Sequence, residues 1–206
     1  MEEAKDPPEN KEDLRIMEYL DEKLLEAKRE LEYQKHTTLQ TGMYAGEELF
    51  TFSWWDLPGS QIRIPLPDQF VEMPEPVRAV KYPSREAPEY IWTSLDSTVN
   101  ICFNVIPMVL KDGELGDMIG YFRDALQNIN PSIVVRNQTE TMTRQGNEMG
   151  WFEYKGHHLD GQTYDRVYLI RMRKCVLHGT FICLERDRHQ WERIAEQIFL
   201  AVEENL

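Results

Sequence analysis

The sequence predicts an α+β fold in which an antiparallel β-sheet is sandwiched by helices and preceded by an amphipathic helical arm. Three observations predict it. Residues 163–172 and 175–184 are two long, directly joined apolar runs with the period-two alternation of strands. A strongly amphipathic helix follows them: Trp191, Ile194, Ala195, Ile198, Phe199 and Val202 form one stripe, leaving Glu192, Arg193, Glu196, Glu203 and Glu204 for solvent. Hairpins recur along the chain and helices do not alternate with single strands, which favours antiparallel pairing over a doubly wound parallel sheet.

Residues 1–10 are polar, contain Pro7 and Pro8, and are expected to form a disordered tail. Residues 11–45 form the arm. Within it Met17, Leu20, Leu24, Ala27 and Leu31 follow a 3-4-3-4 spacing among Glu, Lys and Arg, so a helix with a narrow apolar stripe is predicted over about 12–34. That stripe either docks on its own domain or meets a partner helix. A single domain is expected over 46–206. It opens with strands at 48–54 and 61–66 around the turn Asp56-Leu57-Pro58-Gly59.

The passage from Pro65 to Pro88 holds six prolines and reads as a surface connection, with a short strand over 77–82. A hairpin over 90–94 and 98–106 puts Val99, Ile101, Phe103 and Val105 on one face and Asn100 and Asn104 on the other. Leu115, Met118, Ile119, Phe122, Leu126 and Ile129 then recur at helical spacing up to Asn130-Pro131. Short strands at 132–137 and 148–155 lead to the long hairpin, and Asp187 or a neighbour caps the final helix.

At 206 residues the chain is long enough to bury about 70% of its unfolded surface in one compact body. Its net charge of −13 makes nucleic acid and anionic membranes poor partners, because both are recognised largely through Lys and Arg. Residues 1–48 carry 14 acidic and 7 basic side chains, so half of the excess charge lies in and near the arm. The basic cluster Arg171, Arg173 and Lys174 falls at a predicted turn and reads as solvated. Cys102, Cys175 and Cys183 lie in apolar runs and read as reduced, buried thiols. The start lacks a basic n-region and an apolar h-region, and no window is long enough for a membrane span, so a cytoplasmic protein is expected.

Several short segments carry a family resemblance. Arg63-Ile-Pro-Leu-Pro-Asp-Gln-Phe70, Tyr82-Pro-Ser84 before a hairpin, Asn130-Pro-Ser132 after a helix, and Gly179-Thr-Phe-Ile-Cys-Leu184 leading to Trp191 and Ile198 resemble the PsbP-like superfamily over about residues 50–206. That group includes the photosystem extrinsic subunit, the Ran guanine-nucleotide release factor, and bacterial lipoproteins and secretion-effector chaperones of related fold. The resemblance implies helices on both faces of an antiparallel sheet and a mostly non-enzymatic, partner-binding repertoire. No binding residue of the family maps onto this chain.

Candidate chemistry is sparse. His157-His158 with Asp160 and Asp165 is the sharpest metal candidate, but adjacent histidines on extended backbone diverge, so a polar loop is expected. His178 reads as a half-buried, hydrogen-bonded residue of a strand. Asp112-Gly113-Glu114 with Asp117 lacks the ligand spacing of a calcium loop and reads as a helix start. Asn137-Gln138-Thr139 is a glycosylation sequon, relevant only in a secretory compartment. There is no Gly-rich phosphate cradle, and no cofactor is expected. Trp54 and Trp55 are adjacent on a predicted strand, so one enters the core and the other faces outward, where it either anchors a partner or is covered by the arm or the Pro-rich connection.

The expected function is a non-enzymatic protein-interaction module, an adaptor or secretion-associated chaperone, that binds another protein or self-associates through the N-terminal helix. Met17, Leu20, Leu24, Leu31, Trp54 and Trp55 are the candidate binding residues. A small-molecule or ion-binding domain is the alternative.

Overall fold

The computed structural model describes residues 11–85 and 87–205, without the side chains of 11–14 and 16, so the expected tail lies outside the described residues. Helix α1 covers Lys11–Lys35. Strands β1 (Thr37–Thr38), β2 (Gly42–Ala45) and β3 (Glu48–Phe50) then form a small antiparallel sheet. This departs from the expected arm, in which residues 37–45 share one unit with the helix. Leu39, Met43 and Ala45 are apolar and join the main core, so these residues belong to the body.

A hairpin of β4 (Phe52–Asp56) and β5 (Ile62–Pro67) precedes β6 (Val71–Glu72). Helix α2 (Glu75–Lys81) occupies the place of the strand expected over 77–82. Proline explains the difference. Pro74 and Pro76 stand at the start, where a missing N–H has no helical acceptor, and Pro83 stops the run after Tyr82.

The remaining elements are β7 (Tyr90–Thr93), β8 (Asn100–Ile106), α3 (Leu115–Ile129), β9 (Val134–Met142), β10 (Glu148–His158), β11 (Gly161–Arg171), β12 (Val176–Leu184), a 3-10 turn, α4 (Arg188–Leu200) and β13 (Glu203–Glu204). Seven strands form the main sheet in the order β6-β7-β8-β12-β11-β10-β9, every neighbouring pair antiparallel. β13 pairs with β5 and closes a second small sheet with β4.

Alternation assigns the two faces of the main sheet. On one, Ile101, Phe103, Met149, Tyr164, Tyr168, Leu177, Phe181 and Cys183 join Trp191, Ile194, Ile198 and Phe199 of α4 in the largest core. On the other, Phe152, Tyr154, Val167, Leu169 and Val176 meet Leu115 and Ile119 of α3. Toward the β7 edge Met73, Ile91, Cys102 and Ile182 meet Val77 and Tyr82 of α2 and its end. The antiparallel sheet sandwiched by helices, with an N-terminal helix, is therefore the observed fold.

Two glycines set how closely the helices approach. A Cβ on Gly179 would overlap the Phe199 ring, and one on Gly150 would overlap Ile119. The β7–β8 hairpin is dry on both faces, contrary to the expected single dry face: Asn100 is buried and accepts a 2.7 Å hydrogen bond from Thr93 Oγ1. Ile129, expected on the apolar stripe of α3, is its last residue and is exposed.

Candidate interaction surface

The six candidate binding residues separate into two places. In α1, Met17, Leu20, Leu24 and Leu31 are 55% to 63% exposed. The helix meets the body near its C-terminal end. There Tyr33 packs edge-on against Tyr44 with ring centroids 4.4 Å apart and donates a 3.1 Å hydrogen bond to the Gly46 carbonyl. Leu25, Arg29, Glu32 and Tyr33 line a cleft of about 380 Å3 against Tyr44 and Glu47 of the β2–β3 hairpin. At about 100° per residue, Tyr33 lies about 200° around the helix from Leu31. The helix thus rests on one face and leaves its apolar stripe open on another.

Trp54 and Trp55 diverge as the strand geometry requires. Trp55 enters an aromatic cluster, 5.1 Å from Trp92 and 5.6 Å from Tyr90. Trp54 is 46% exposed and stands opposite Pro65 in the β4–β5 hairpin. Its ring is met by the Arg63 guanidinium at 4.6 Å, itself paired with Glu203 at 2.5 Å.

The third feature was not legible locally. Phe50, Phe70 and Trp191 pack together with centroid separations of 4.8 to 6.2 Å and line an open groove of about 430 Å3, rimmed by Glu48, Asp96 and Asp187. These residues come from β3, the segment after β5, the β7–β8 turn, the 3-10 turn before α4, and α4 itself. No spacing rule links positions so far apart in sequence.

The two fully buried carboxylates, Glu153 and Asp165, have structural partners, whereas among the described residues Gln69 Oε1, Trp92 Nε1, Arg166 Nε and Glu185 Oε2 are buried without one. Glu153 is fully buried on the α4 side of β10. It accepts hydrogen bonds from Tyr164 at 2.7 Å, from Arg166 and Arg188 at 3.1 Å each, and from Asn137. Burial alone would raise its pKa, but the bonds from Tyr164, Asn137 and Arg166 outweigh that and hold it below the usual value. Arg166 also stacks on Trp151 at 4.2 Å. The sequence signal was there to find: Glu153 and Arg166 stand at inward positions of aromatic-rich strands. Asn137 of the sequon is held in this network.

On the opposite face Asp165 is also fully buried, bonded to His158 at 2.9 Å and to Thr163 at 2.5 Å. The histidine pair therefore ends strand β10 and does not form the expected polar loop. His157 and His158 face Gln162 and Gly161 across the hairpin, which extends the ladder to the turn. Among the described residues no group of three His, Cys, Asp or Glu side chains is placed to hold a metal ion. The hydrogen bond to Asp165 raises the His158 pKa.

His178 is half-buried, as expected, with its ring 5.2 Å from Phe122, and burial pushes its pKa down to about 4. The three thiols are free. Burial pushes Cys102 up to about 12 and raises Cys175 and Cys183 as well, so none is a ready thiolate. The basic cluster is partly neutralised: Arg171 pairs with Asp112 and Glu148, and Arg173 with Glu204.

Fold and surface together define a sheet-and-helix body carrying a charged helix with one apolar stripe at its N-terminal side. No protein-family profile and no functionally described protein matches the sequence. Solved structures do. The cyanobacterial PsbP (CyanoP) from Synechocystis sp. PCC 6803 has a similar fold, with a TM-score of 0.56 at 10% identity, covering 74% of this chain and 92% of that one. LpqN, involved in cell envelope biogenesis of Mycobacterium tuberculosis, gives 0.50 at 13% identity over 83% and 99%. The fold is PsbP-like. Among the described residues no helix is long and apolar enough to cross a membrane.

Proposed function

We propose that this chain is a non-enzymatic protein-interaction module, an adaptor or secretion-associated chaperone, whose body presents helix α1 to a protein. The observation that carries the reading is the open stripe of Met17, Leu20, Leu24 and Leu31, each more than half exposed on a helix that rests on the body by another face. Surface residues of this kind, aligned along one helix face, suit docking into an apolar groove or against a second helix. Trp54 adds a separate aromatic anchor at the edge of the β4–β5 hairpin. The two fully buried carboxylates, Glu153 and Asp165, are engaged by hydrogen bonds within the sheet faces, which supports a structural use for them. Free thiols, with Cys102 and Cys183 buried and Cys175 half-buried, fit a reducing, cytoplasmic setting.

A small-molecule reading rests on the groove of about 430 Å3 over Phe50, Phe70 and Trp191. Affinity capture from native extract, with wild-type bait and a Leu20→Gln/Leu24→Gln/Leu31→Gln bait, separates the two. The expected result is a protein captured by the wild type and lost by the variant. Equal capture by both moves the interface to the body. No capture, together with a melting shift caused by a metabolite or metal ion, transfers the function to ligand binding.

A further inference from the structure

Resting on that reading, we propose that the partner of α1 is a second copy of this chain, and that the two helices pair antiparallel as a short two-stranded coiled coil. The 3-4-3-4 stripe places Met17, Leu24 and Leu31 at a positions and Leu20, Ala27 and Gln34 at d positions of a heptad. Every one of these residues is exposed in the single chain. Antiparallel pairing sets a against d. Leu20 then faces Leu31 of the second copy, Leu24 faces Ala27, and Met17 faces Gln34. Large residues meet small ones at the centre, and the helix is used over nearly its whole length.

Charges beside the stripe select this arrangement. In the proposed register Lys23 meets Glu30 of the second copy, and the two-fold axis repeats the pair. On the other flank Asp21 lies between Lys28 and Lys35 of the second copy, which offsets the approach of the two Lys28 side chains. Sliding one helix by a heptad in one direction sets Lys23 against Lys23, and in the other Glu30 against Glu30. A parallel pair fares worse as well: Lys23 would face Lys28 on both sides, leaving Glu30 with Lys35 as the favourable contact. In the single chain Lys23 and Lys35 are held by exposed neighbours, Glu26 at 2.6 Å and Glu32 at 2.5 Å, and such surface pairs exchange readily.

The body leaves room for the second helix. Tyr33, the anchor to Tyr44 and Gly46, and Leu25, Lys28, Arg29 and Glu32, which line the cleft beside it, all lie outside the a and d positions, Lys28 alone of them flanking the proposed seam. Pairing therefore does not require the helix to leave its seat.

Sedimentation equilibrium of the full chain tests the proposal by mass and by charge reversal. The wild type is expected to show a monomer–dimer equilibrium that shifts with concentration. Lys23→Glu places a carboxylate against Glu30 and should weaken the dimer about tenfold or more, and Lys23→Glu/Glu30→Lys should restore it. Parallel pairing predicts the reverse for the single variant, because the introduced carboxylate would face Lys28, so a tighter dimer overturns the antiparallel arrangement. A wild type that stays monomeric at about 100 μM, well above the range of a specific dimer, overturns self-pairing. That last result leaves the interaction reading to its own capture experiment, so the two fail separately. Far-ultraviolet circular dichroism of each variant checks that its helix content is unchanged.

Discussion

Helices α1 and α4 carry comparable apolar stripes and meet opposite fates. In α4 Trp191, Ile194, Ala195, Ile198 and Phe199 are all buried, whereas Met17, Leu20, Leu24 and Leu31 of α1 stand open. The difference lies in connection and ring content more than in periodicity. α4 follows β12 through one 3-10 turn, Glu185–Asp187, so it must fold back across the sheet to which β12 belongs. Phe199 then stacks on Tyr168 at 3.8 Å over Gly179, and Arg188 at its first turn reaches Glu153. α1 leads only into a small three-stranded sheet and has one aromatic contact with it, through Tyr33. Amphipathicity thus says which face of a helix seeks cover, and connectivity decides whether the same chain supplies it.

The largest effect should come from breaking the α4 seat. Phe199→Ala removes a fully buried ring from between Tyr168 and Phe103 and should destabilise the fold by about 3–5 kcal/mol in urea melts. Glu153→Leu leaves Arg166 without its buried partner and releases Arg188; a loss of about 3 kcal/mol is expected. Because the folded carboxyl titrates below its unfolded value, the stabilisation it supplies is present above about pH 4.5 and lost as pH falls below that. The variant's melting temperature should accordingly be flatter across that acid range than the wild type's.

The other docked helix, α3, is probed through His178 beneath Phe122. Its imidazole stays neutral in the fold down to about pH 4, while the unfolded chain takes up the proton near 6.5. Stability should therefore fall as pH drops between those values, by up to about 3 kcal/mol. His178→Gln should remove that slope. His158 has the opposite sign: its pKa is raised, so the stability it contributes is present below 6.5 and lost as pH rises through the folded value. The smallest effect belongs to the open helix. Leu20→Gln/Leu24→Gln, measured at high dilution, should change the melt by less than about 0.5 kcal/mol, since both side chains are more than half exposed. A large loss there would mean that α1 is as firmly docked as α4.

Much of the architecture was legible in local pattern. The period-two runs of β11 and β12 and the stripes of α3 and α4 appear close to where the residues place them. Local rules failed where two signals competed. Prolines read as breaking structure instead start α2, and the histidine pair read as loop extends β10 because its backbone continues the ladder with Gln162 and Gly161. The candidate surface divides in the same way. The α1 stripe and the outward Trp54 followed from spacing and alternation, but the Phe50, Phe70 and Trp191 groove joins three distant segments.

By itself the sequence determined the alternation of strand faces, the amphipathic stripes, the acidic balance, and the opposed directions of Trp54 and Trp55. These are properties of neighbours along the chain, set by backbone period and side-chain type. Only the tertiary structure decided that Leu39, Met43 and Ala45 belong to the body, that Glu153 and Arg166 meet within the core, and that the stripe of α4 is covered while that of α1 is open. Those outcomes depend on which distant surfaces the sheet order brings together, and no local spacing encodes that order.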